Sequence, residues 1–321
     1  LIKKARTEPI LNQQLDALIR RLKPGHPAKN QIEADLAKSL AGYRGEQAVD
    51  YYLPQNDDYW ILHDLRLQGN EEHFFQIDTF LVSEHFIILF EIKNIAGTLL
   101  FDSNYHQLIR TLDNKEEGFP DPITQVERQQ RHFRDWMLKK RLPKVPIFSY
   151  VVISRPSSII KSTHSSIKKI LHAATIPTKI EQLEQQNSTC YFTKKDMRKL
   201  FNLLIKNHIP PTRDVLSYYQ LQPDDLQTGI ECPSCHSFKM VRERRNWECA
   251  NCQNRSVNAH KKALKDYFLL IGSTMTNREC RRFLQLSSSS IASKLLRSFD
   301  FPISGAIKNR SYTILLDKVQ E

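Results

Sequence analysis

No apolar run in this 321-residue chain reaches the length of a membrane span, which takes about 20 residues. The opening residues Leu1-Ile2-Lys3-Lys4 lack the apolar core of a secretory signal, so the expected location is cytoplasmic. No glycine-rich phosphate loop ending in Lys-Ser/Thr occurs, so any motor activity would have to come from another protein. A disulfide scaffold is not expected either. Six cysteines without a secretory signal fit a reducing compartment and metal binding. Acidic residues are scarce in one central stretch: residues 123–213 carry 18 Lys and Arg against 5 Asp and Glu, whereas residues 1–122 carry 13 against 19. Residues 229–321 are basic again, 16 against 8, and the chain totals +12. Basic surface following an acidic region suits a polyanionic substrate, although a charge run also serves solubility.

The acidic region holds the most informative pattern. Gln76-Ile77-Asp78-Thr79-Phe80-Leu81-Val82 and Ile87-Ile88-Leu89-Phe90-Glu91-Ile92-Lys93 are apolar, β-branched runs interrupted by acids. Such runs predict buried strands, and Ser83-Glu84-His85 predicts a tight connection that pairs them as a hairpin. Residues i and i+2 of a strand share a face, so Glu91 and Lys93 point together and Ile92 points the other way. A buried carboxylate needs a cation or hydrogen bonds. Asp78 and Glu91 on neighbouring strands can hold one hard divalent cation beside Lys93, an arrangement suited to phosphodiester hydrolysis with Mg²⁺ or Mn²⁺. The Ile92 carbonyl is a further oxygen for that ion. A purely structural Asp/Glu–Lys salt-bridge cluster has the same spacing.

Gly42-Tyr43-Arg44-Gly45-Glu46, Gln76-Ile77-Asp78, Glu91-Ile92-Lys93-Asn94 with Gly97, and Asp121-Pro122-Ile123-Thr124-Gln125 occur in that order. Together they resemble the NERD (nuclease-related domain) family, a branch of the PD-(D/E)XK nuclease superfamily, over about residues 35 to 155. Ile77 stands where the superfamily has proline. The resemblance implies an α/β, restriction-endonuclease-like mixed sheet flanked by helices. It also implies metal binding by Asp78 and Glu91 and action of Lys93 on the nucleophile. Glu46 would be a further acidic ligand or water orienter, able to recruit a second cation, and Gln125 a polar helix residue facing the site. Read alone, Glu46 is an exposed carboxylate on a helix from about Ala28 to Leu53. Gly42 and Gly45 in that helix fit a close approach to the sheet.

Other elements frame this region. Leu11 to Ile19 has helical spacing, and Lys23-Pro24-Gly25-His26-Pro27 breaks it. Tyr59 to His63 and Thr98 to Phe101 predict strands. Asp121-Pro122 opens a helix whose Gln125, Arg128, Gln129 and His132 form one stripe. The stripe either meets phosphates or is simply wet, with Val126, Phe133 and Met137 inside. Pro146 to Ile153 predicts a central buried strand, residues 155 to 170 a loop with short elements, and Thr193-x-x-Asp196 a capping box on a helix to about Asn207.

Cys232-Pro-Ser-Cys235 and Cys249-Ala-Asn-Cys252 can present four thiolates to Zn²⁺ with no position left open, so this site is structural. They resemble a zinc ribbon with hairpin strands Phe238–Arg242 and Asn246–Glu248. Cys190 and Cys280 are expected as ordinary packed or surface thiols. After the ribbon come an amphipathic helix from Lys261 to Ile271, a capping box at Thr276 opening a second helix, a third helix from about Ser289 to Phe299, and strands Ile303–Ile307 and Tyr312–Leu316. This resembles a winged helix-turn-helix, whose third helix would enter a DNA groove. Arg281, Arg282, Lys294, Arg297, Lys308 and Arg310 would then meet phosphates, as would Arg128 and His132 of the earlier helix.

The expected organisation is a helical extension (1–34), a nuclease domain with its own helical extension (35–213), a zinc ribbon (229–256) and a winged helix (257–321). The expected function is metal-dependent cleavage of DNA, with RNA as the other substrate. A homodimer would let one site per chain cut both strands. The alternative is a non-catalytic DNA-binding module, or a scaffold whose C-terminal modules contact a protein partner.

Overall fold

The computed structural model describes residues 1–69, 73–163, 165–306 and 309–319. The chain begins with β1 (Ile2–Lys4), α1 (Ile10–Arg21) and α2 (Lys29–Asp50). Strands β2 (Trp60–Gln68), β3 (Phe74–Val82), β4 (Ile87–Lys93), β5 (Thr98–Asp102), β6 (Gln107–Leu112) and β7 (Lys115–Pro120) follow. Next come α3 (Pro122–Lys139), β8 (Ile147–Ile153), β9 (Ile159–Ser162), β10 (Ile170–His172), α4 (Ile176–Gln186), α5 (Lys194–Asn207) and α6 (Val215–Tyr218). The last part holds β11 (Met240–Glu243), β12 (Asn246–Cys249), β13 (Arg255–Ser256), α7 (Ala259–Leu270), β14 (Thr274–Thr276), α8 (Asn277–Leu284), α9 (Ser289–Arg297), β15 (Ile303–Ser304) and β16 (Ser311–Thr313). Among the described residues no helix is long and apolar enough to cross a membrane.

Two compact units divide the chain: Leu1–Glu8 with Leu40–Pro211, and Pro9–Ser39 with Thr212–Glu321. This partition differs from the four sequence segments. Residues 1–34 do not stay together, because β1 joins the first unit's sheet while the apolar face of α1 enters the second unit's core.

The first unit is built on a six-stranded mixed sheet in the order β1-β2-β3-β4-β8-β10. Strand β3 runs antiparallel to β2 and β4, β1 is parallel to β2, and β8 is parallel to both β4 and β10. Helices cover both faces. On one, Phe133 and Trp136 of α3 and Met197, Leu200 and Leu204 of α5 pack against Leu62, Phe80 and Leu89. On the other, Val49 of α2 and Ile176 and Ile180 of α4 pack against Ile61, Ile88 and Phe90. Burial on both sides explains why β8 reads as a nearly unbroken apolar run. A second sheet, β7-β6-β5-β9, closes over the end of α3, where Leu99 and Phe101 meet Ile123 and Val126. Strands β6 and β7 carry Thr111, Glu116 and Glu117 and expose much of their length, so they have no apolar signature. The 155–170 region contains β9 as a parallel partner of β5.

Helix starts follow local chemistry. Asp121 caps α3 by accepting from Ile123 N at 3.0 Å and Thr124 N at 3.1 Å, with Pro122 as first helical residue. Reciprocal capping boxes close the first turns of α5 (Thr193, Asp196) and α8 (Thr276, Glu279). Each cap is worth about 1 kcal/mol.

In the second unit the three-stranded sheet β11-β12-β13 and helices α7, α8 and α9 share one core, in which Trp247 and Met240 meet Leu264, Phe283 and Leu296. The last three strands form a sheet in the order β14-β16-β15, antiparallel throughout. The strand expected at Ile303–Ile307 covers Ile303–Ser304, and Ile307 and Lys308 lie outside the described residues. The strand expected at Tyr312–Leu316 covers Ser311–Thr313, because Leu316 opens a 3₁₀ turn through Val319. Strand β14 was not anticipated: its last residue, Thr276, is also the cap of α8. Helix α1 packs Leu15 and Leu18 against Val215, Leu221, Leu269 and Leu270. Its buried Arg21 bonds Asp266 at 2.6 Å and the carbonyls of Gln227 and Gly229.

Candidate active site

Strands β3 and β4 pair in register from Val82↔Ile87 to Thr79↔Phe90. One step further, Asp78 stands across from Glu91. There the Ile92 N–H donates to Asp78 Oδ2 at 2.8 Å. A side-chain carboxylate has taken the place of a ladder acceptor. Glu91 and Lys93 lie on the face of β4 that α3 covers, while Ile92 lies in the opposite core with Ile88 and Phe90, as the strand period requires.

Helix α3 then fixes both groups. Gln125 and Gln129, one turn apart, point at Lys93 and Glu91. Gln129 Nε2 donates to Glu91 Oε2 at 2.7 Å, and Lys93 Nζ donates to Glu91 Oε1 at 2.6 Å and to Gln125 Oε1 at 3.2 Å. Glu91 is buried, and Lys93, Gln125 and Asp78 are half-buried. Gln129, expected on a stripe that either meets phosphates or is simply wet, is buried, and its Oε1 has no hydrogen-bond partner among the described residues. His132 is half-buried and stacks on Phe75 with ring centres 5.7 Å apart. Of the four stripe residues only Arg128 is fully exposed.

Glu46 reaches the same centre from α2. Gly45 makes the approach feasible: a Cβ there would lie 2.3 Å from Asn94 Cβ. At Gly42 nothing lies within 4 Å, so close packing does not account for that glycine. Asn94 Nδ2 donates to the Ala41 carbonyl at 2.7 Å and ties the end of β4 to the helix. Burial pushes the Glu46 carboxyl up to about 7, with the Asp64 and Glu91 charges adding to it and Arg6 opposing. Burial, then the charges of Glu91 and Glu46, hold the Asp78 carboxyl well above the usual range. These carboxyls repel one another in poorly solvated surroundings, which is the condition a divalent cation relieves. The donors are hard oxygens, the ligand type Mg²⁺ and Mn²⁺ take.

Arg6, His63, Asp64 and Thr79 were not anticipated in this centre. Arg6 Nη1 donates to Glu46 Oε2 at 2.7 Å and to Asp64 Oδ1 at 3.0 Å. Its Nη2 meets Asp50 Oδ1, Thr79 Oγ1 and His63 Nδ1 at 3.0–3.1 Å, and Nε meets Asp50 Oδ2 at 3.3 Å. Asp64 has φ +53, a conformation that Asp tolerates, between the register pairs Leu62↔Phe80 and Leu65↔Ile77. The kink directs its carboxylate to Arg6. An acid inside the apolar run from Trp60 to Leu67 was the available signal. Arg6 had none, since it is 40 residues from Glu46 and outside every motif.

The second unit holds the sulfur cluster. The Sγ atoms of Cys232, Cys235, Cys249 and Cys252 all lie within 4.8 Å of one another. Cys232–Cys252 and Cys235–Cys249 are 3.6 Å apart. A Zn²⁺ tetrahedron with Zn–S near 2.3 Å has edges of roughly 3.8 Å. The cluster fits a zinc ribbon. Cys280 is buried and Cys190 exposed, and neither lies in the cluster. Of the basic residues expected to meet phosphates, Lys294 and Arg297 are exposed on α9. Arg281 and Arg310 are half-buried, Arg282 pairs with Asp224 at 2.6 Å, and Lys308 lies outside the described residues.

Asp78 on β3 and Glu91 and Lys93 on β4 thus lie together on a mixed sheet flanked by helices. Residues 41–154 match the family model of the nuclease-related domain, NERD, so this stretch is a nuclease-related domain and nucleic acid is its implied substrate. Neither comparison with curated proteins nor comparison with solved structures gives a match.

Proposed function

We propose that the protein is a DNA nuclease whose Asp78 and Glu91, with the Ile92 carbonyl as a further oxygen, hold one Mg²⁺ or Mn²⁺. When bound, that cation polarises the scissile phosphoryl oxygen and acidifies a coordinated water. Lys93 supplies a fixed positive charge beside the site, which orients the attacking water and offsets charge developing on phosphorus. Gln125 holds the Lys93 ammonium, and Gln129 holds the far oxygen of Glu91. Glu46 forms the acidic wall facing Asp78. The observation that carries this reading is the Gln129–Glu91–Lys93–Gln125 chain beside Asp78, inside the NERD match.

The C-terminal modules deliver the site to DNA in this proposal. Residues 257–321 follow the order helix, strand, helix, helix, strand, strand, which suits a winged helix. Asn277 locks the turn between α8 and α9 by donating to Ser289 O at 2.9 Å and Ser293 Oγ at 2.8 Å. Lys294, Arg297 and, from the nuclease domain, Arg128 are the exposed cations available for phosphates. The ribbon at 229–256 is a structural Zn²⁺ module, and a homodimer would bring two cleavage centres to a duplex.

The test is cleavage of supercoiled plasmid, linear duplex and single strands with Mg²⁺ or Mn²⁺, beside Asp78→Ala and Lys93→Met. Lys93→Met is expected to abolish cleavage, a loss of at least ~10³-fold, with DNA affinity nearly intact. Equal loss of cleavage and binding would sink the catalytic assignment. Absence of cutting with tight DNA binding retained would favour the binding module instead.

A further inference from the structure

Resting on that reading, we infer that Arg6 is a resident cation that confines the site to a single divalent ion. The Arg6 side chain is 4% exposed, yet it lies two residues past β1, outside the matched domain. Its guanidinium faces three carboxylates: Glu46 at 2.7 Å, Asp64 at 3.0 Å and Asp50 at 3.1 Å. A guanidinium has five N–H donors in a planar fork and stays charged throughout the pH range of proteins. Thr79 Oγ1 and His63 Nδ1 complete its partners, so every donor is used.

Glu46 is therefore shared. It faces Asp78 and Glu91 on one side, where their charges act on one another, and gives Oε2 to Arg6 on the other. A second hard cation would need Glu46 and Asp64 oxygens as close ligands at about 2.1 Å. Nη1 already engages both carboxylates. Arg6 supplies the positive charge there without a coordinated water to activate. Only one ion would then be held, with Lys93, bonded to Glu91 and Gln125, as the ammonium beside it. Arg6 is a positioning residue in this scheme, since it acts through Glu46.

Isothermal titration of the zinc-loaded full-length chain with Mn²⁺ tests this. Mn²⁺ is a hard ion and does not compete for the four thiolates. Wild type is expected to bind one ion, Arg6→Lys one and Arg6→Gln two, with the second ion raising the melting temperature of Arg6→Gln more than Mn²⁺ raises that of wild type. A merely structural Arg6 would lower stability in both variants and leave the count at one. Two ions in wild type, or one in Arg6→Gln, overturn the inference while leaving the proposed nuclease site standing. No ion in wild type overturns both. If Arg6→Gln is unfolded without metal, saturating Mn²⁺ is expected to restore its fold, because the ion replaces the guanidinium. Failure to restore it also overturns the inference.

Discussion

The sulfur cluster of the second unit and the carboxylate cluster of the first solve opposite problems with charged ligands. Four thiolates converge until their sulfurs sit at tetrahedral spacing, and no ligand position stays open. The carboxylates instead come each from a different element: Asp78 on β3, Glu91 on β4, Glu46 on α2. The Asp78 and Glu46 carboxyls are pushed up, by burial first and then by neighbouring acidic charge, so the first unit stores unfavourable electrostatics there. The buried arginines repeat the contrast. Arg21 and Arg20 meet Asp266, with Glu231 beside them, in a nearly balanced group. Arg6 faces three acids alone. A balanced group ties elements of the fold together, whereas the three acids around Arg6 leave negative charge in excess.

The strongest way to break this comparison is to remove a sulfur. Cys249→Ala, or zinc chelation, is expected to unfold the second unit, since structural zinc supplies about 10–16 kcal/mol in small domains. Circular dichroism and tryptophan fluorescence of Trp247 would report it, and a folded, zinc-free second unit would erase the distinction. Next is Asp266→Ala, which leaves Arg21 buried without its partner and should cost about 3–5 kcal/mol, read by denaturant titration.

An intermediate effect comes from pH. Burial lowers His260 to about 4 from its ordinary 6.5, so its contribution is complete above pH 6.5 and drains away as pH falls toward 4. Full loss is on the order of 3 kcal/mol, and His260→Gln should flatten that slope. Glu46 tilts the other way. Its raised carboxyl gives stability that is complete below about 4.5 and is lost as pH rises through about 7. Thermal melts across pH 4.5–8 of wild type and Glu46→Gln, without divalent ion, should show a steeper rising-pH loss in wild type than in the variant, where the raised Asp78 carboxyl still contributes.

Smaller still, Asp78→Asn is expected to raise metal-free stability by about 1 kcal/mol while removing Mn²⁺ affinity. A loss of stability in that variant would mean the carboxylate site is as structural as the sulfur one. At the bottom of the scale, Arg282→Ala breaks only an exposed pair with Asp224 and should shift stability by no more than about 1 kcal/mol.

Legibility in the sequence followed locality. The β3–β4 hairpin, the Asp121 cap, the Thr193 and Thr276 boxes and both cysteine pairs depend on residues within a few positions of each other, and each was readable. Glu91 and Lys93 sharing a face followed from the strand period. Gln129 was misplaced because helical spacing cannot say which polar residue turns inward to a buried acid. The Arg6 cluster was invisible because it joins residues 40 to 73 positions apart with no repeat or motif to mark them. Strands β6 and β7 escaped because half-exposed, charged strands lack the apolar alternation that announces a sheet.

The division of the chain into interleaved units has a consequence for inheritance and quality control. Leu15, Leu18 and Ile32 come from residues 9–39, but the apolar partners that cover them, Val215, Leu221 and Leu269, arrive only after residue 211. During synthesis those early leucines wait for nearly two hundred residues with no native cover. A nonsense mutation between the nuclease-related domain and Val215 would leave them uncovered for good. Such a fragment would be a target for chaperones and proteases, so loss of the zinc-bearing region would endanger the nuclease-related domain along with it.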